Sequence, residues 1–302
     1  MRSWIGLAAL SLLVLALGVW ISQKPRAPDR EAHALTALTV ADVTRIRLER
    51  PASAGASDAR TPAAGKSSSA PTGRIELERR ADGWHMTAPF PARADAVHVE
   101  RLLAILDERS VARYRAADLE RYGLDRPVAT LTLNDQTFAF GAVNTMTREQ
   151  YVLARDGVYA IPLSQRTALP RDGESVVSRA LFAQGETPLR FELEGFTATL
   201  VDGKWIISPV AEEPGPDERN GWVAAWRQAT AMHVRPHDGR KPLATISVAL
   251  KDGRTVTLGI LEREPELVLL RLDERIQYHF LPDVGKRLLS PPGAARTEQV
   301  NK

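Results

Sequence analysis

Two long stretches of the chain carry the same order of hydrophobic and polar segments. In residues 74–162, segments with strand-like alternation surround one segment whose apolar side chains recur at helical spacing. The apolar positions of that helical segment are Val97, Leu102, Leu103, Leu106 and Val111. Residues 196–282 repeat the same order. Self-similarity at a fixed spacing predicts one supersecondary unit that is used twice.

Landmark residues set the spacing between the two copies. Pro89 and Pro209, each close behind a tryptophan, are 120 positions apart. The further matched pairs are Trp84 with Trp205, Gly141 with Gly259, and Ile161-Pro162 with Leu281-Pro282. The ordered agreement of these landmarks favours a duplication over a chance likeness between two strand-rich stretches.

Two tryptophans of the second copy allow two interpretations. Trp222 and Trp226 would offer a ligand-stacking platform on an exposed helix. At the 120-residue spacing, however, they correspond to Leu102 and Leu106, which face the predicted core. The repeat therefore favours core packing for both tryptophans.

The pattern predicts an α+β protein of two tandem repeats, each a mainly antiparallel β-sheet with one main helix. The first repeat is expected at residues 43–182 and the second at 183–290, followed by a flexible tail at 291–302. Within the first, the main helix is expected at 96–113 and a short helix at 174–182. A doubly wound parallel sheet would require a regular alternation of strands and helices, which the sequence lacks.

Residues 51–73 interrupt the first predicted hairpin. They consist mostly of Pro, Ala, Ser, Gly and Thr, and such a segment buries too little apolar surface to offset the entropy of ordering. In the second copy, the corresponding hairpin turns through Glu194-Gly195 alone. The long segment is therefore predicted to be a disordered insertion.

The N-terminus contains an uncharged stretch at residues 4–21. This is at the short end of a transmembrane helix, for which about 20 residues are needed. Trp4 and Trp20 flank it, as interfacial aromatic residues do. We predict a transmembrane anchor at 1–24 and a linker at 25–42. A secretory signal peptide cleaved after Ala16-Leu17-Gly18 is the rival interpretation.

Composition excludes several classes of function. The formal net charge is +3, and basic residues are interspersed with acidic ones, which does not indicate a nucleic-acid surface. Cysteine is absent, so the chain has no disulfides, thiol nucleophiles or cysteine metal ligands.

The stretch around residues 122–127 is the most distinctive motif of the chain. It reads Tyr122-Gly123-Leu124-Asp125-Arg126-Pro127 and follows Trp84, Pro89 and the helix, before Phe140-Gly141 and Tyr151-Val152. Over residues 74–182 the chain resembles the bacterial domain-of-unknown-function family 4340. The resemblance implies an envelope protein with one N-terminal anchor in the bacterial inner membrane and its domains in the periplasm. Some family members look like companions of ABC-transporter components of the gliding-motility type, and the family brings no known catalytic residues.

Histidines offer a weak metal-binding signal. His233 and His237 have the spacing that places two ligands on one helix face, but Pro236 disfavours a helix there. The remaining histidines, His33, His85, His98 and His279, are scattered and have no local partners in the sequence. We therefore predict no metal site and no cofactor.

Acidic residues near the first helix are candidates for general acids, but capping and surface charge explain them better. These residues are Asp95, Asp107 and Glu108, and Asp95 precedes the helix as an N-cap would. Without a recognisable catalytic motif, no enzyme activity and no catalytic residues are predicted. An envelope hydrolase with a cleft between the repeats is one alternative, and a glycan or lipid binding module is another.

The 122–127 motif is either a locked turn or a loop that contacts a partner protein. The leading functional hypothesis is a membrane-anchored, non-enzymatic binding or scaffold protein, accessory to a membrane complex such as an ABC transporter. The pattern specifies no oligomeric state.

Overall fold

The computed structural model describes residues 32–51, 73–155, 157–209 and 213–293. The predicted anchor at 1–24 lies outside the described residues, as do nearly all of the predicted insertion and most of the predicted tail. Among the described residues, no helix is long and apolar enough to cross a membrane.

The first large sheet contains nine strands within the described residues. Its strands are β2 (Arg45–Glu49), β3 (Arg74–Arg80), β4 (Gly83–Ala88), β5 (Ala92–Arg93), β7 (Arg113–Arg115), β8 (Ala129–Leu133), β9 (Gln136–Asn144), β10 (Glu149–Ala154) and β11 (Gly157–Pro162). Their order is β5-β4-β3-β2-β8-β9-β10-β11-β7. β1 (His33–Ala34) and β6 (Arg109–Ser110) pair with each other separately. The alternation in β2, with Ile46 and Leu48 buried, shows why these segments form strands with one core face.

The second large sheet contains eight strands within the described residues. They are β12 (Pro188–Leu193), β13 (Phe196–Val201), β14 (Lys204–Ser208), β15 (His233–Pro236), β16 (Ala244–Leu250), β17 (Thr255–Glu262), β18 (Leu267–Arg271) and β19 (Ile276–Phe280). Their order is β14-β13-β12-β16-β17-β18-β19-β15.

The two strand orders coincide position by position, apart from the extra edge strand β5 of the first sheet. Neighbouring strands are antiparallel throughout both described sheets. The mainly antiparallel α+β class is confirmed. We call the two sheets with their helices the first and second unit.

Each unit carries two α-helices within the described residues. They are α1 (Ala96–Leu103) and α2 (Ser164–Ala168) in the first unit, and α3 (Pro216–Arg227) and α4 (Pro282–Leu289) in the second. α1 contacts β4 and α2, and α3 contacts β14 and α4 in the same way. The sequence pattern did not predict α2 and α4. Both helices are short, and they follow β11 and β19, respectively.

The first helix is shorter than the predicted 96–113. After Leu103 the chain tightens into a 3-10 helix, Ala104–Asp107, and then forms β6. The hydroxyl of Ser110 donates to the carbonyls of Ala112 and Ala160, both at 2.7 Å, which holds this segment beside β11. Val111 is exposed and does not belong to the helical stripe.

The predicted helix at 174–182 is also wrong beyond its first turn. Only Glu174–Val176 is helical, as a 3-10 turn, and the chain then runs extended. The Ser178 N–H donates to Arg93 O at 2.8 Å, and the Leu181 N–H donates to Ala229 O at 3.0 Å. Both units thus supply backbone partners to this connecting segment, which favours an extended conformation over a helix.

The spacing of the last landmark needs a correction of one residue. Tyr159 and Ile161 lie in the core of the first unit, and Tyr278 and Phe280 take these positions in the second, 119 residues later. Leu281, which the sequence matched to Ile161, is 51% exposed, whereas Ile161 is fully buried. Because side chains alternate between the faces of a strand, a shift of one residue exchanges core and surface positions.

Trp222 and Trp226 are buried, which confirms the core interpretation and excludes the stacking platform. Both rings pack against Phe191, with centroid distances of 5.3 and 5.5 Å. The indole N–H of Trp226 donates to the carbonyl of Leu288 in α4 at 3.0 Å, which ties the two helices of the second unit together.

Replacing residues 51–72 with Asn-Gly is expected to leave the thermal midpoint within about 3 °C of the wild type. The Arg50 N–H already donates to Gly73 O at 2.8 Å, and Glu49 faces Arg74, so the hairpin is closed before the insertion begins. Asn-Gly suits a two-residue hairpin turn.

Far-UV circular dichroism on heating measures this midpoint. Leu48→Ala in the same hairpin is the control, since truncating this buried side chain costs about 2–5 kcal/mol and must lower the midpoint. A fall of more than about 10 °C on loop replacement would contradict the prediction.

Candidate functional site

The 122–127 loop packs directly onto β9. The 3-10 helix Leu119–Tyr122 ends at Gly123, whose φ of +61° is a left-handed conformation that suits glycine. Gly141 lies beneath the loop: a Cβ there would come within 2.3 Å of Tyr122 O. Leu124 is buried. The first half of the motif therefore locks the turn.

The second half of the motif faces solvent. The side chain of Arg126 is 93% exposed, and its Nε is 4.0 Å from the carboxylate of Asp125, which is also exposed. These two residues contribute little to the packing of the turn.

Three tyrosines from separate segments surround the loop. Tyr122 lies 5.6 Å from Tyr114 and 4.9 Å from Tyr151, measured between ring centroids, and the Tyr122–Tyr151 contact is edge-to-face. Tyr114 is exposed, and the other two are half-buried. Of these three, the sequence predicts only Tyr122 as a site residue, because Tyr114 and Tyr151 come from β7 and β10 and meet it only in the fold. Arg121 Cζ lies 5.9 Å from the Tyr122 ring centroid, and Arg126 follows Tyr122 in the same loop. We call Tyr114, Tyr122, Tyr151, Arg121 and Arg126 the tyrosine–arginine surface.

The second unit locks the corresponding turn with other residues. There Pro242 packs over Gly259, where a Cβ would come within 2.6 Å of Pro242 Cγ. The loop before it reads His237-Asp238-Gly239-Arg240-Lys241, without the tyrosine or the leucine of the first motif. Close packing of this loop on the sheet therefore requires a glycine on the strand but not the tyrosine–arginine surface.

A second polar cluster lies buried between the units. The guanidinium of Arg271 binds both carboxylate oxygens of Glu186, at 2.7 and 2.8 Å. Arg93 of the first unit donates to Glu274 at 2.5 Å and to Tyr278 Oη at 2.9 Å. We call Arg93, Glu186, Arg271, Glu274 and Tyr278 the junction cluster.

Further bonds close the junction cluster. The hydroxyl of Tyr278 donates to Glu274 at 2.6 Å, and Arg271 Nε lies 3.3 Å from the same carboxylate. Arg93 also donates to the carbonyl of Ala180 in the connecting segment, at 2.8 Å. Two cations thus share one carboxylate, which couples the units electrostatically.

The surroundings keep these groups in fixed protonation states. Burial alone would raise the pKa of Glu186, but hydrogen bonds from Arg271 and from the Ala183 N–H outweigh it and lower that pKa. Burial raises the pKa of Tyr278, and the neighbouring Glu274 adds to that effect. An ionised glutamate and a neutral tyrosine are suited to holding the units together rather than to exchanging protons with a substrate.

Two of the three candidate acids, Asp95 and Glu108, have structural partners, and Asp107 is exposed. Asp95 caps α1 by accepting the His98 N–H at 3.0 Å, as predicted. Glu108 accepts a hydrogen bond from Gln165 at 2.7 Å. Gln165 also lines a surface pocket of about 270 Å³ with Arg101, Ala104, Ser164 and Ala168. That pocket lies within the first unit, whereas the hydrolase alternative requires a cleft between the units.

The fold gives partners to histidines that the sequence left alone. His85 lies 3.1 Å from Asp82 and His98 lies 3.0 Å from Asp95, so the expectation of no local partners is wrong for these two. His279 lies 2.8 Å from Glu266, which is 13 positions away in the sequence and becomes a partner only through the fold. His233 begins the edge strand β15 and His237 follows it, so their spacing does not place them on a helix face.

Residues 84–218 match the family model described as Domain of unknown function (DUF4340), which confirms the resemblance seen in the sequence. The match covers most of the first unit and continues through β14 into the start of α3. No curated protein and no solved structure matches the chain.

Arg271→Met is expected to lower the free energy of unfolding by about 3–5 kcal/mol, because it leaves Glu186 buried without its bidentate partner. Urea denaturation at neutral pH measures this loss.

Arg254→Met is the matched control. Arg254 reaches the same carboxylate at 3.4 Å, but its side chain is 62% exposed, and solvent screens that pair. We expect a much smaller loss for this variant, and equal losses would show that the junction cluster does not stabilise the fold.

Acid should weaken the junction through Glu186. A carboxylate whose folded-state pKa is lowered contributes stability that is complete above its ordinary value of 4.5 and is lost as the pH falls through the lowered value. We expect the free energy of unfolding of the wild type to fall between about pH 5 and about pH 3 more steeply than that of Glu186→Gln. Glu213→Gln, at an exposed position, should keep the wild-type slope. Parallel curves for all three proteins would refute this role of Glu186.

Proposed function

We propose that this chain, whose residues 84–218 match the DUF4340 family model, is a non-enzymatic binding or scaffold protein of the bacterial cell envelope. In this proposal the uncharged segment at 4–21 anchors it in the inner membrane, and both units lie in the periplasm. Its partner is a protein of a membrane complex, such as an ABC transporter.

The tyrosine–arginine surface is the observation that carries the proposal. Tyrosine and arginine are enriched among the residues that dominate protein–protein binding energy. Their rings and guanidinium groups combine a large apolar area with hydrogen-bonding ability. In this chain, the side chain of Arg126 is almost fully exposed. The second unit packs its corresponding loop against the sheet without a tyrosine–arginine surface. A partner explains these side chains better than the packing of the turn does.

The rest of the fold presents this surface rigidly. Gly123 and Gly141 pack the loop tightly against β9, and the tyrosine rings contact one another. The junction cluster in turn fixes the first unit against the second. A binding surface that is already ordered loses less entropy when a partner docks.

Site-specific photo-crosslinking tests the proposal. We expect p-benzoylphenylalanine in place of Arg126 to form a discrete adduct with one membrane-complex protein in intact cells, because the side chain at this position of the proposed surface is almost fully exposed. The same amino acid in place of Glu213 is the control, since Glu213 is 79% exposed but distant in sequence from the motif. Adding Tyr122→Ala should reduce the adduct several-fold while the thermal midpoint confirms a folded protein.

Identical adducts from both positions, or no adduct from position 126 in a folded protein, would contradict the proposal. An adduct with a glycan or a lipid at position 126 would favour a glycan or lipid binding module instead.

A further inference from the structure

Two imidazole rings lie side by side at the edge of the second sheet. His233 in β15 and His279 in β19 face each other in the strand register. Their ring centroids are 4.2 Å apart, and the planes are inclined by 23°. Glu266, just before β18, brings a carboxylate oxygen to 2.8 Å from Nδ1 of His279. One potential ligand atom from each of the three residues lies within 4.8 Å of the other two.

The second ring nitrogen of His279 is the unusual feature of this group. The residue is only 6% exposed, and Nε2 is buried without a hydrogen-bond partner among the described residues. An ionised carboxylate only accepts hydrogen bonds, so in a neutral ring Nδ1 donates its proton to Glu266 and Nε2 holds the lone pair. A carboxylate that orients one nitrogen of a histidine while the other is left as a donor is the usual arrangement around metal-binding histidines.

The first unit shows that the fold does not need these rings. His279 follows the core residue Tyr278, and Ala160 follows its counterpart Tyr159. The residue beside Ala160 on β7's side is Ala112, whose carbonyl accepts the Ala160 N–H at 3.4 Å. The second unit therefore has two histidines where the first unit has two alanines in the same strand pairing. A role in strand packing alone does not explain that difference.

We propose that Nε2 of His279 and the imidazole of His233 bind a divalent transition-metal ion, for which Zn²⁺ is the best match, while Glu266 orients His279 through Nδ1. Imidazole nitrogens suit Zn²⁺ as ligands, whereas Ca²⁺ and Mg²⁺ prefer oxygen ligands alone. Two protein ligands leave two positions of a tetrahedral Zn²⁺ for water or for side chains of a partner.

Equilibrium dialysis of the full-length protein against Zn²⁺ tests the proposal, in mild detergent and with an affinity tag that contains no histidine. We expect one Zn²⁺ per chain with a Kd below about 10 µM, and a rise in thermal midpoint that a chelator reverses. His279→Ala and His233→Ala, each of which places the residue of the first unit at that position, should weaken binding at least 100-fold. Glu266→Gln should weaken it about 10- to 100-fold.

His85→Ala is the control, because His85 also lies beside a carboxylate, at 3.1 Å from Asp82, but outside this group. It should bind Zn²⁺ as the wild type does. Far-UV circular dichroism of the metal-free proteins establishes that each variant is folded, and the half-exposed His233 provides a test even if His279→Ala does not fold. The proposal is overturned if saturable binding is absent, or if His233→Ala and Glu266→Gln bind as tightly as His85→Ala.

Discussion

The buried pairing of Arg93 and Arg271 with Glu186 and Glu274 is the constraint on which the arrangement of the two units depends. An ion buried without its partner costs several kcal/mol, so each charge of the cluster restricts where the others lie. Arg93 comes from the edge strand of the first sheet, and the other three come from the second unit or the segment that leads into it. The same segment donates and accepts backbone hydrogen bonds on both sides. The two units therefore have a defined relative position rather than a flexible connection.

The two units use one fold to carry different side chains at the surface. The first unit presents Tyr122 and Arg126 above a glycine-locked turn, and the second places His233 and His279 along its edge strand pair. In each case the other unit preserves the local backbone with unrelated residues, Pro242 over Gly259 or Ala112 beside Ala160. Function is set by such groups of side chains and not by the fold that holds them. Where the two units have different side chains at matched positions, the fold does not require either of them.

Much of the fold follows from the sequence, because alternation and helical spacing are local signals. They predicted the duplicated series of strands along the chain, the hairpins and the burial of Trp222 and Trp226. The junction cluster was not predictable, since Arg93 and Glu274 are 181 positions apart and each resembles a surface residue in its own segment. The helix expected at 174–182 does not form because the backbone partners of that segment, Arg93 O and Ala229 O, belong to different units and are not visible in the local pattern. His279 acquires Glu266 and His233 only when three strands pair.

The most direct test of the account is whether the two units unfold together. Differential scanning calorimetry of the full-length protein at neutral pH compares the measured enthalpy of unfolding with the van't Hoff enthalpy. A junction that couples the units predicts one transition in which the two enthalpies agree. Two resolved transitions, or a measured enthalpy about twice the van't Hoff value, would show that the units unfold independently and would contradict the central role of the junction cluster.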